Sequence, residues 1–230
     1  MRRRRGTYHA RPSTTWQLAA KAPSVPADAS THWNTVYESR ASGEVSWYQD
    51  TASTSLRLLA QARRMANIEV RTAIDVGAGQ SPVSAELLAN GWAHVTLLDV
   101  SDEALDAMRE HFADNEPCVS FVVADLLDWQ AEQLFDARHD RAVFHFLTDA
   151  HDRERYAATA ARSIRPGGVM VIGTFASDGP RQCSSLPTSR YSPDQLAAQF
   201  AADFTLIHAE REAHRTPAGT VQPFSWAILR

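Results

Sequence analysis

Only two cysteines, Cys118 and Cys183, occur in 230 residues, and neither has a second thiol or a histidine at a redox or metal-ligand spacing. A reducing compartment is therefore the default, and no metal site is expected. Nine histidines are present, but His111, His139, His145 and His151 stand singly, without a His-x-x-x-His pair. No apolar run approaches the ~20 residues a membrane-spanning helix needs. The formal net charge of −4 gives no global attraction to nucleic acid or an anionic membrane. A cytoplasmic location follows as the expectation. Acids are missing ahead of Asp28, while Arg2-Arg3-Arg4-Arg5 opens the chain and a Pro/Ala/Ser stretch fills 22–30. Such a composition cannot bury a core, so residues 1–30 are expected to be a disordered basic tail. An organelle address or a nucleic-acid contact are the other uses of that arginine cluster, and without an apolar h-region it is no secretory signal.

What is present is an unbroken alternation of strand and helix patterns in a chain that is 44% hydrophobic. It predicts one domain over 31–230, of which 31–66 are helices preceding the first strand. Thr72–Val76 reads as that strand. Asp75-Val76-Gly77-Ala78-Gly79-Gln80-Ser81-Pro82 follows, a glycine turn in which the main chain can approach a ligand without a Cβ in the way. Pro82 suits the first helical position and Ser81 the N-cap before it. A dinucleotide fingerprint would need Gly or Ala where Pro82 stands, and a phosphate loop would need Gly-Lys-Ser/Thr, which is missing. Two further apolar strands, His94–Asp99 and Val119–Ala124, lead into acids at Asp99 and Asp125. A carboxylate at the carboxyl end of a parallel strand lies where such sheets bind ligands.

An acid followed by x-Gly-x-Gly-x-small resembles motif I of the class I S-adenosylmethionine (SAM) dependent methyltransferases. Arg165-Pro166-Gly167-Gly168 leading into Val169–Phe175 is similar to a later turn of that family. The resemblance runs from about Ile68 to Phe175. It implies an α/β, Rossmann-like three-layer sandwich around a seven-stranded mixed sheet of order 3-2-1-4-5-7-6, the last strand antiparallel. It also implies SAM as methyl donor and S-adenosylhomocysteine (SAH) as product. Asp75, Gly77 and Gly79 would shape the cofactor pocket, Asp99 with Val100 would meet the ribose, and Asp125 with Leu126 the adenine; Asp128 is an alternative to Asp125. Trp33 and Tyr37, four apart on one helical face, and Trp47 in Ser46-Trp47-Tyr48 resemble the aromatic lid of small methyltransferases. Plugging one end of the core is the other use open to these aromatics.

Proton removal from an amine or hydroxyl acceptor would fall to Asp140 or His145, although a histidine between Phe144 and Phe146 can equally be a packed core residue. The acceptor is expected to be a small thiol, amine or hydroxyl compound. A protein-lysine substrate ranks second, on the Trp33…Tyr37 opening. Nucleic acid ranks last, because no Asn-Pro-Pro-aromatic, Asp-Pro-Pro-Tyr or Pro-Cys motif and no basic stripe is present. Binding SAM without catalysis, as a partner or sensor subunit, also fits the motif. The sequence leaves oligomeric state open. Beyond Phe175, residues 176–189 read as a loop, Ser192 caps a short helix, and Phe204–Glu210 and Val221–Leu229 close the sheet. His214, Arg215, Thr216 and Gln222 face the acceptor or are solvated loop residues.

Overall fold

The computed structural model describes residues 29–66 and 71–230, apart from the side chains at 115 and 116. The basic tail expected over 1–30 lies outside the described residues except for Ala29 and Ser30, which already belong to a helix. Two helices come first, α1 (Ala29–Ser39) and α2 (Ser53–Ala66). There follow β1 (Thr72–Val76), α3 (Val83–Ala89), β2 (His94–Asp99), α4 (Asp102–His111), β3 (Val119–Val123), β4 (Phe135–Arg141), α5 (Ala150–Ser163) and β5 (Ile164–Phe175). A two-residue hairpin, β6 (Gln182–Cys183) with β7 (Leu186–Pro187), precedes α6 (Pro193–Ala198), β8 (Leu206–Arg215) and β9 (Val221–Leu229). The main sheet has seven strands in the order β3-β2-β1-β4-β5-β9-β8. With the hairpin set aside, this is the 3-2-1-4-5-7-6 order the resemblance implied, and β9 runs antiparallel to both β5 and β8.

β1 and β2 are buried after their first residues. That is the fate of parallel strands covered on both faces, and it explains why they read as continuous apolar runs. One face carries Ala73, Val95, Leu97, Ala137 and Val171 against Leu58 and Leu59 of α2, Leu87 of α3 and Leu105 of α4. The other carries Met170, Ile172 and Ala227 against Tyr156 and Ala160 of α5 and Leu196 of α6. Together these make the three-layer sandwich. Among the described residues no helix is long and apolar enough to cross a membrane.

Helix starts follow local chemistry. Ser101 caps α4 by accepting the Ala104 N–H at 3.1 Å, and Ser192 forms a reciprocal box with Gln195 at the start of α6. The start of α3 differs from expectation by one residue. Pro82 occupies the N-cap with already helical φ, and its carbonyl accepts from Glu86 N at 3.0 Å. Ser81 still serves, because its hydroxyl accepts the Val83 N–H at 3.2 Å.

Three connections depart from the sequence reading. The stretch 176–189 is not a plain loop. Its β6–β7 hairpin turns through Ser184 (φ 47°) and Ser185 (φ 65°), two left-handed residues in succession, as the tightest hairpins require. The Arg165–Gly168 turn is looped out within β5, so that Phe135 pairs with Ile164 and Ala137 next with Val169. A Cβ at Gly168 would lie 2.9 Å from the Asp136 carbonyl oxygen, so only glycine closes this loop against β4. Finally, β8 runs on to Arg215. That places His214 in the edge strand, buried, with Nε2 2.9 Å from the Ser46 carbonyl rather than in a solvated turn.

Candidate active site

At the carboxyl ends of β1, β2 and β4 lie two adjoining pockets, the position at which open α/β sheets bind ligands. The larger holds about 850 Å³ of space free of protein atoms, its open mouth included. Its walls include Trp33, Tyr37 and Trp47 from the N-terminal segment, Gly77, Asp99 and Val100, and Asp125 and Leu126. Arg141, Phe146 and Cys183 line it as well. The smaller pocket, about 540 Å³, is lined by Asp75, Ala78, Ser81 and His139, among others. Tyr37, Trp47, Gly77 and Arg141 face both.

The glycine turn is shaped by close approach on two sides. Gly77 (φ 61°) and Gly79 (φ 50°) are both left-handed. A Cβ at Gly77 would collide with Cγ2 of Val143, and one at Gly79 with the Tyr37 hydroxyl. Asp99 ties the turn to β2: one oxygen accepts the Gly79 N–H at 2.8 Å and the other the Ser101 N–H at 2.9 Å. Burial nevertheless pushes its carboxyl up to about 6, because desolvation outweighs those backbone donors. Tyr37, pressed on Gly79 and near Asp99, is raised well above the usual phenol range, first by burial and then by that charge.

Beside the turn, Asp75 is buried under the smaller pocket. His139 Nδ1 is 2.7 Å from one Asp75 oxygen, and His139 Nε2 is 2.9 Å from the Ser55 hydroxyl. With Asp75 as carboxylate the imidazole proton belongs on Nδ1, so the ring is held between β1 and α2. The second Asp75 oxygen is buried without a partner. Asp125 follows β3, is exposed, and accepts the Leu127 N–H at 2.8 Å. Asp128, its alternative, instead pairs with Arg155 and lines neither pocket.

The aromatic N-terminal segment does face the larger pocket. Trp33 meets Trp47 at 5.8 Å and Phe146 at 5.1 Å between ring centroids, both edge-on. A polar latch that sequence reading missed holds α1 in place. Asn34 donates to Asp102 at 2.6 Å and accepts from the Ser101 hydroxyl at 2.7 Å. Through Ser101, whose N–H binds Asp99, helix α1 is therefore joined to the end of β2.

Asp140 and His145 line neither pocket. Asp140 is fully buried toward α5, where it accepts from the Tyr156 hydroxyl at 2.5 Å and from Val143 N at 3.1 Å. Burial raises its carboxyl to about 6 against the opposing pull of Tyr156 and Arg138. His145 is stacked on Phe175 at 4.2 Å and has no hydrogen-bond partner for either nitrogen. Burial and then the Arg141 charge push it down to about 3, so the ring is neutral at physiological pH. As placed, neither can take a proton from a molecule in the larger pocket. Residues the sequence reading passed over stand there instead: Arg141, Phe146 and Cys183. The Cys183 thiol is raised to about 11 by burial. The missed signal was the period of two along β4, which puts Arg141 on the same face as His139.

Residues 73–168 match the model of a methyltransferase domain. Nodulation protein S of Rhizobium tropici is 30% identical over 106 residues, 46% of this chain and 43% of that protein, so the match spans less than half the relative's length. The solved 1,6-didemethyltoxoflavin-N1-methyltransferase of Burkholderia thailandensis, with SAH bound, superposes with a TM-score of 0.69. It is 22% identical, with 93% of this chain and 92% of that one covered. The N-methyltransferase NodS from Bradyrhizobium japonicum WM9, also with SAH, gives 0.62 at 16% identity over 86% and 97%. Residues 73–168 thus carry a methyltransferase domain match, and the strand order and superpositions give the chain the Rossmann-like fold of class I SAM-dependent methyltransferases.

Proposed function

We propose that this protein transfers the methyl group of SAM to a small-molecule nucleophile. The observation that carries the reading is the paired pocket around Gly77, with a buried, unpartnered Asp75 oxygen on one side and Asp99 and Asp125 on the other. These groups suit SAM. Asp75 can accept from an ammonium group, Asp99 from ribose hydroxyls and Asp125 from an adenine amino group, while Leu126 and Val100 offer apolar contact to the base. The two left-handed glycines let the turn pack under Val143 and Tyr37, where any Cβ would collide, and leave the Gly77 backbone facing both pockets.

When bound, SAM supplies a methyl group already activated by its sulfonium, so the hard chemistry belongs to the cofactor. The protein's share is alignment and exclusion of water. Trp33, Trp47 and Phe146 form an apolar cage over the larger pocket, and the Asn34 latch sets its position. Holding donor and acceptor at roughly 3–3.5 Å contributes more than a strong base would. Asp140 and His145 are not assigned as bases, given their places in the core. An acceptor that enters with a lone pair available, such as a neutral amine, fits a pocket lined by Arg141 and a protonated Cys183. The similar proteins named as N-methyltransferases support a nitrogen acceptor.

Isothermal calorimetry of the purified chain with SAM and SAH, with NAD as control, is the test. Micromolar binding of both SAM-type ligands is expected, followed by turnover in a screen of small amines and thiols. A folded protein that binds neither overturns the reading; binding without turnover of any amine, thiol or peptide would favour a sensor.

A further inference from the structure

Arg141 ends β4 and faces both pockets. Its Nη1 donates to the Trp47 carbonyl at 2.8 Å, and its guanidinium lies 4.9 Å over the Phe224 ring. Nε and Nη2 are buried with no hydrogen-bond partner. Those two nitrogens are the side-on edge of the guanidinium, from which parallel N–H bonds project at the spacing of a carboxylate.

Among the described residues none hydrogen-bonds to that edge. Arg141 forms no ion pair there, and Glu212, the carboxylate whose field reaches it, is already occupied. One Glu212 oxygen accepts from the Thr54 hydroxyl and the other from the Trp226 indole, each at 2.8 Å. Burial lowers Arg141 only to about 10, so it stays cationic at neutral pH. The neighbouring histidines answer that charge by staying neutral, His145 and His214 both being pushed down in part by Arg141. A buried cation without a counter-charge is costly unless a bound partner supplies one.

We infer that the Nε/Nη2 edge of Arg141 recognises a carboxylate on the acceptor, held at the junction of the two pockets. This rests on the methyltransferase reading and narrows it to acceptors that carry a carboxylate near the methylated atom. Phe146 and Cys183, which also line the larger pocket, would border the rest of the acceptor. The methionyl carboxylate of SAM has the same chemistry and is the other possible source, so the experiment separates the two.

In protein labelled with 15N-arginine, the Arg141 Nε–H resonance is assigned by its loss in Arg141→Lys. SAH and 5′-methylthioadenosine, which lacks the amino-acid carboxylate, are added in turn, and sodium formate is then titrated into the free protein and each complex against sodium chloride at equal ionic strength. The expected result is a saturable shift of that resonance by formate in the SAH complex, with a formate-dependent rise in Tm that Arg141→Lys loses. A shift caused by SAH but not by methylthioadenosine, and unmoved by formate, gives the edge to the cofactor and overturns the acceptor assignment. No response to SAH or formate overturns anion recognition altogether. Calorimetry on the same sample shows whether SAH binds, so failure of the methyltransferase reading is seen separately, and formate in the free protein still tests the edge.

Discussion

Asp99 should make cofactor binding depend on pH with a slope the structure specifies. Its carboxyl is buried, takes N–H donors from Gly79 and Ser101, and still titrates at about 6. Ribose hydroxyls donate best to the ionised form. If only that form binds, affinity follows the ionised fraction, about 0.97 at pH 7.5 and about 0.09 at pH 5, a loss of roughly tenfold or ~1.4 kcal/mol. The sign for the ligand-free fold is the reverse. An acid raised above its unfolded value of ~3.9 binds protons more readily when folded, so this group adds stability as pH falls from about 6 toward 4. Weaker binding at pH 5 is therefore not acid unfolding at Asp99. SAH titrations by calorimetry from about pH 5 to 7.5 should show the tenfold change, while Asp99→Asn should bind weakly with no slope. Asp140 titrates in the same range but lies against Tyr156, outside both pockets, so Asp140→Asn should keep the slope. A flat profile in the unaltered protein, or an unchanged profile in Asp99→Asn, would refute the role given to Asp99.

Gly79→Ala should cost ~1–2 kcal/mol for a left-handed alanine, plus the collision with the Tyr37 hydroxyl. Tyr37→Phe in the same chain should recover part of that loss in urea unfolding, and equal losses in both backgrounds would show that the contact does not matter. Asn34→Ala removes two side-chain hydrogen bonds of roughly 0.5–1.5 kcal/mol each, loosening α1. Amide exchange should quicken across 29–39 and not in β1 or β2; unchanged exchange in α1 would show that Asn34 does not hold that helix in place. His139→Leu leaves both Asp75 oxygens buried without a partner and should cost about 2–4 kcal/mol. Adding Asp75→Asn should make the pair less damaging than the sum of the two singles, and strict additivity in a double-mutant cycle would contradict the coupling.

The nucleotide half was legible because its local signals agree with one another. Apolar runs of strand length, each leading into an acid, alternate with helices, the first of them opened at Ser81 and Pro82. The strand order came from the resemblance rather than from the residues, since nothing local in β9 says that it enters between β5 and β8. What escaped was structure without its usual spelling. Ser184-Ser185 turns a hairpin that Asn-Gly would have announced, the packing around it sustaining two left-handed serines. The extension of β8 was hidden by Arg211, Glu212, His214 and Arg215, charges that an edge strand can turn to solvent or, for Glu212 and His214, tie down individually.

β4 shows why the acidic and basic candidates exchanged importance. Its side chains alternate between the two layers. Arg138 and Asp140 point toward α5, where Tyr156 donates to Asp140 and the Arg138 guanidinium lies 5.0 Å over the Tyr156 ring. Ala137, His139 and Arg141 point toward α2, where His139 bridges Asp75 and Ser55. The strand therefore spends its acid on the core and presents a cation to the pockets. Residue type alone favoured Asp140 as a base, since carboxylates accept protons and arginine does not. The layer each residue enters decides otherwise, because a group that cannot reach the acceptor cannot deprotonate it whatever its pKa. Pockets that Arg141 faces and that Asp140 and His145 do not reach are better fitted to orient an anionic acceptor than to activate it. That division of labour is consistent with chemistry in which the activating charge arrives on the cofactor.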